Sequence, residues 1–126
     1  MRILAALLLA CLLASAAAAP LSPPARSEIE GLLSRLETSG CDFNRNGTWY
    51  PGAEAKVHLM RKLKYLEDRG AVQSAEQFVE LAATASSVSG RPYLVRCGNG
   101  TPVESATWLA TQLRAMRSVG QARRAP

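Results

Sequence analysis

Two cysteines, Cys41 and Cys97, constrain this chain more than any other feature, because the segment before them reads as an export signal. Arg2 supplies a minimal positive n-region, Ile3 to Leu13 is an unbroken apolar run, and "ASAAAAP" provides the small residues of an A-x-A cleavage pattern. Cleavage is expected after Ala18, since Pro20 would lie directly beyond a cut after Ala19. The apolar run is too short and too alanine-rich for a membrane span, which needs roughly 20 strongly apolar residues. "LLAC", ending at Cys11, offers a rival reading as the lipobox of a bacterial lipoprotein, although Cys11 lies early and the run continues past it. The processed chain keeps Cys41 and Cys97, and in an oxidising compartment two cysteines most simply form a disulfide. Closing a loop of more than fifty residues would stabilise a fold by about 4 kcal/mol in the chain-entropy model. A metal or redox pair would need C-x-x-C spacing or histidine neighbours, and neither is present.

A little over a hundred residues remain after processing, enough for one domain. The expected organisation is a signal peptide over 1–18, a proline-rich spacer over 19–27, a single domain over 28–117 and a disordered basic tail over 118–126. Loss of Arg2 leaves 14 Lys and Arg against 10 Asp and Glu, a net charge of +4. That modest excess favours anionic partners such as envelope polymers or headgroups, and it lacks the dense basic run of a nucleic-acid binder. The expected location is periplasmic or secreted, with anchoring through Cys11 as the alternative.

Within the domain the periodicity alternates between helix and strand. Ser27 and Glu30 form a capping-box pattern, followed by Ile29, Leu32, Leu33 and Leu36 on one helical face, and Gly40 stops the helix. Asn46-Gly47 is a type I′ hairpin signal between short strands at Cys41 to Asn44 and Thr48 to Tyr50. Glu54 to Arg69 reads as the longest helix, with Ala55, Leu59, Leu63 and Leu66 facing inward. Ser74 and Gln77 open a third helix whose expected inner stripe is Phe78, Leu81, Ala82 and Ala85. Tyr93 to Cys97 reads as a strand beside the hairpin if the disulfide forms. Thr101-Pro102 with Glu104 would start the last helix, carrying Trp108, Leu109, Leu113 and Met116. The fold class is therefore α+β, mainly α: about four helices around a two- or three-stranded sheet with one disulfide.

Four groups of residues could carry chemistry. His58, the only histidine, could act as base for Ser86, Ser87 or Ser89, with Glu54 one turn earlier orienting the imidazole. No G-x-S-x-G or S-x-x-K motif surrounds these serines, and serine-glycine runs ordinarily cap helices and turn the chain. The polar face of the long helix gathers His58, Arg61, Lys62 and Arg69 around Tyr65 and could hold a carboxylate or phosphate, the bland alternative being a solvated face with Glu54 and His58 as an i,i+4 pair. Trp49 and Tyr50, with Asn44, Arg45 and Asn46, could stack on and hydrogen-bond a glycan, but strand alternation sends the two rings to opposite faces. Ser89, Gly90 and Tyr93 form S-G-x-x-Y, which resembles a pattern of periplasmic C-type lysozyme inhibitors, proteins whose β-barrel fold this helical pattern does not make. With one histidine and no Asp-rich loop, no metal site and no cofactor are expected.

The blocks "CDFNRNGTWYPGAEAKVHLMRKLKYL", "FVELAATASSVSGRPYLVRC" and "WLATQL" resemble the YfeK-like family of exported bacterial proteins, over about Glu28 to Arg117. The resemblance implies a periplasmic bacterial protein of a family without an assigned function, and it brings no catalytic residue, cofactor or substrate. The expectation is a non-enzymatic protein that binds an envelope glycan, anion or partner protein, with a small hydrolase or a lysozyme-inhibitor-like protein as alternatives.

Overall fold

A computed structural model describes residues 20–124, so the signal-peptide reading and Cys11 lie outside the described residues. The first helix, α1 (Pro23–Thr38), starts earlier than the Ser27 capping pattern implies. Ser22 is its N-cap and accepts the Ala25 N–H through its hydroxyl, which leaves Pro23 and Pro24 at the first helical positions. Proline suits those positions because their N–H groups have no intrahelical acceptor, so the proline-rich segment begins a helix instead of preceding one. Ile29, Leu32, Leu33 and Leu36 are fully buried, as their spacing predicts.

The hairpin follows, with β1 (Cys41–Arg45) and β2 (Thr48–Pro51) paired antiparallel through Phe43↔Tyr50 and Asn44↔Trp49. Asn46 and Gly47 both have positive φ, 52° and 85°, as a type I′ turn requires. The Asn44 side chain accepts the Gly47 N–H at 3.1 Å and closes the turn from inside. Helix α2 (Gly52–Glu67) then leaves the hairpin directly and crosses α1. Helix α3 (Ala75–Ala82) is capped by the Ser74 hydroxyl, which accepts the Gln77 N–H at 3.1 Å.

β3 (Leu94–Cys97) joins the free side of β1, placing Cys41 directly opposite Cys97, and the two form a disulfide. The sheet has a fourth strand that the sequence pattern conceals. Val103 and Glu104 pair with β3 as β4 (Val103–Glu104), so the order is β2-β1-β3-β4 and the last helix, α4 (Ser105–Arg124), starts later than Pro102. The ladder hydrogen bonds available at β3 outweigh the helix-start preference of Pro102 and Glu104.

α4 also runs past Arg117 to Arg124, where a disordered tail is expected from the sequence. Arg117 itself ties three helices together, donating to Glu28 of α1 at 2.7 Å and pairing with Glu76 of α3. Beyond it the helix buries nothing and rests on helix-favouring Gln121 and Ala122, with Arg123 and Arg124 complementing the dipole. The core lies between the helices and the sheet face that carries Cys41, Phe43 and Val95. No helix among the described residues is long and apolar enough to cross a membrane. The disulfide is compatible with a periplasmic or secreted protein.

Candidate functional site

Tyr93 organises the site. Its backbone is pinned on both sides: its N–H donates to the Thr84 carbonyl at 3.0 Å, and its carbonyl accepts the Ser105 N–H at 2.8 Å. The ring is 1% exposed and packs against Phe43 with centroids 5.0 Å apart. Its hydroxyl emerges between two residues of α2 separated by one turn. His58 Nε2 lies 3.3 Å from it, and the Lys62 ammonium donates to it at 3.2 Å and to the Ala85 carbonyl at 3.4 Å.

Desolvation shapes the charges here. Burial, reinforced by the positive charges of Arg45, Lys62 and Arg61, pushes the His58 pKa down to about 4. Burial also lowers Lys62, with Arg45 adding to the effect, and it raises Tyr93. At neutral pH the imidazole is therefore neutral and the phenol keeps its proton. The consistent arrangement has Lys62 donating to the phenol oxygen and the phenol donating to Nε2, which leaves the His58 proton on Nδ1.

Two open depressions flank this network. The first, about 430 Å³, lies between the hairpin and α2 and is bounded by Phe43, Arg45, Tyr50, Val57, His58 and Arg61. The second, about 410 Å³, lies between α2 and α3 and is bounded by His58, Arg61, Lys62, Tyr65, Leu81 and Ser87. His58 and Arg61 line both, so the two depressions adjoin at these side chains as the two arms of a trough across α2. Arg45, Arg61 and Lys62 line it, and no ion pair occupies any of them among the described residues. Glu54 is the one carboxylate on the walls, and it makes no ion pair with His58.

The remaining expected site residues divide by position. Tyr50 shares the inward sheet face with Phe43 and enters the trough, while Trp49 takes the opposite face, where the Arg96 guanidinium covers its ring at 4.1 Å. Arg69 leaves the anion-binding set, because it stacks on Tyr65 at 3.5 Å and donates to that residue's carbonyl. Asn46 and Ser89 form a latch, the serine hydroxyl donating to Asn46 Oδ1 at 2.5 Å, and this holds the hairpin tip against the serine-rich loop. Ser86 accepts the Val88 and Ser89 N–H groups inside that loop. His58 thus meets a tyrosine where triad chemistry needs a serine, and Ser87 is the only one of the three candidate serines on the trough wall.

Leu81 and Val57 were not expected at the site. Leu81 is 48% exposed, because α3 buries the stripe Ala75, Phe78, Val79 and Ala82 and turns Leu81 outward. Val57 is an apolar residue off the inward face of α2, which spans 16 residues against the 20 of α4 and is not the longest helix its sequence suggests. No group of three or more His, Cys, Asp or Glu side chains among the described residues could hold a metal ion.

Comparison with known proteins adds a family. Residues 23–117 match a family described as "Family of unknown function (DUF5329)". An uncharacterised protein of Salmonella typhimurium, YfeK, is 35% identical over 68 residues, which cover 53% of this chain and 55% of the relative. The chain thus matches about half the length of that curated relative. No solved structure matches.

Proposed function

The chain belongs to the DUF5329 family of unknown function, and from that premise we propose that it is an exported, non-enzymatic protein that binds an anionic envelope ligand in the trough across α2. The observation that carries this reading is the grouping of Arg45, Arg61 and Lys62 on a largely apolar trough, with no carboxylate of the described residues paired to any of them. Burial lowers the His58 and Lys62 pKa values first, and the repulsion from neighbouring cations, Arg45 above all, adds to it. A bound anion relieves that repulsion and gains charge-assisted hydrogen bonds, with Arg61 able to donate in bidentate fashion.

An anion is favoured over a glycan because the Trp49 ring, the best stacking platform, is covered by Arg96. Export rests on the N-terminal apolar run and small-residue cleavage pattern, together with the disulfide.

The apolar sulfonate 1-anilinonaphthalene-8-sulfonate tests the trough by fluorescence titration of the processed protein. Arg45→Ala combined with Arg61→Ala should weaken its binding about tenfold or more, with the far-UV circular dichroism unchanged. Equal affinity for the sulfonate in wild type and double variant would overturn the reading.

A further inference from the structure

Resting on that reading, we infer that the trough's ligand is an extended segment of a partner protein, carrying one acidic side chain between apolar ones. The placement of charge along the trough points to this class. Arg61 stands where the two depressions meet, Arg45 lies on the hairpin side and Lys62 on the α3 side. Apolar side chains line both arms on either side of Arg61, Tyr50 and Val57 in the hairpin arm and Tyr65 and Leu81 in the α3 arm. A ligand that fills both arms holds its negative charge in its middle. A fatty acid carries its charge at one end and would leave one arm empty, whereas a peptide with an internal Asp or Glu satisfies both.

The form of the walls agrees. Both arms are only partly enclosed, which suits a chain passing across the surface better than an acyl tail, whose burial needs an enclosing tunnel. Val57, Tyr65 and Leu81 are each about half exposed, at 53%, 56% and 48%, and line the same trough. Val88, 95% exposed, lies on the loop next to Ser87. Large apolar side chains gathered around one groove mark a binding surface, a protein contact being one such use. A membrane surface would be met by a protruding face, whereas here the cations line a concavity. The latch between Asn46 and Ser89 joins the hairpin tip to the loop that carries Ser87, so the two walls are held together before a ligand arrives.

The test uses the processed protein and capped, fluorescently labelled pentapeptides with Phe and Leu on both sides of a central residue, followed by anisotropy. The peptide with central Asp should bind about tenfold more tightly than the one with central Asn, and Arg61→Ala should abolish that preference. Val57→Asp and Leu81→Asp, one in each arm, should each weaken the Asp peptide several-fold. Equal binding of the Asp and Asn peptides overturns the inference, as does loss of affinity from only one of the two arm variants. Dodecanoate and vesicles containing phosphatidylglycerol serve as the competing arms. If either displaces the naphthalene sulfonate in an Arg61-dependent manner while the Asp peptide does not, the peptide inference fails and the anion site stands. If the sulfonate itself shows no dependence on Arg45 and Arg61, both fail.

Discussion

A methyl group on Gly52 would overlap the carbonyl oxygen of Leu36 and come within 3.3 Å of the Glu37 Cα, so backbone meets backbone where α2 starts against the end of α1. The atoms it would meet belong to the backbone, which cannot swing aside as the end of a flexible side chain would. Gly52→Ala should therefore destabilise the protein by about 1–3 kcal/mol or more, read as a lower urea midpoint with unchanged slope. An unchanged midpoint would mean that the helices are free to separate at this crossing. In the sequence the same glycine reads only as punctuation after Pro51, because close approach between distant segments leaves no local mark. Tyr93 teaches the same lesson at the site. The spacing of His58 and Lys62 on one helical face is visible in the sequence, but the phenol that both of them meet comes from a segment more than thirty residues away. By contrast, the opposite orientation of Trp49 and Tyr50 follows from strand alternation alone, and the register Asn44↔Trp49 and Phe43↔Tyr50 assigns each ring its face.

Elements were legible wherever one dominant local rule acted. The stripe of α1, the Ser74 cap of α3 and the Asn46-Gly47 turn each follow from residues within one or two turns of one another. Competition between rules hid the rest. β4 wins its two residues from a helix-start pattern because β3 offers ladder partners, and Leu81 faces outward because the neighbouring stripe of α3 fills the core first. The disulfide belongs to this scale, since it joins neighbouring strands β1 and β3 and encloses 56 positions of sequence separation that include the whole of α2 and α3. The Cys41→Ser, Cys97→Ser double variant should lose about 4 kcal/mol of unfolding free energy through the greater freedom of its unfolded chain. Urea unfolding of wild type with and without reductant provides the check, and a double variant as stable as the oxidised wild type would remove the bridge from the forces holding the sheet. Cys41 is buried while Cys97 is exposed, so the reductant has access from one side.

At the scale of the whole molecule, the cations of the trough tie folding, protonation and binding together. His58 has a folded-state pKa of about 4 against an ordinary value of 6.5, so between those values the unfolded chain holds the proton more tightly. Stability is therefore fully present above pH 6.5 and falls as the pH drops towards 4. An anion in the trough opposes the coulombic part of this lowering of the His58 pKa, because its charge offsets those of Arg45, Lys62 and Arg61 and makes the imidazolium easier to form. Binding must then take up protons, and affinity for a sulfonate, which stays ionised throughout, should rise as the pH falls from 6.5 to about 4.5 while the stability of the free protein declines. A carboxylate ligand should gain affinity only down to about pH 5, where its own protonation begins. His58 is the only histidine, so its ring protons report the effect without ambiguity in a proton NMR titration. The free protein should show a midpoint near 4, moved up by at least about half a pH unit in the presence of saturating 1-anilinonaphthalene-8-sulfonate. An unmoved midpoint would place the bound anion away from His58 and away from the trough.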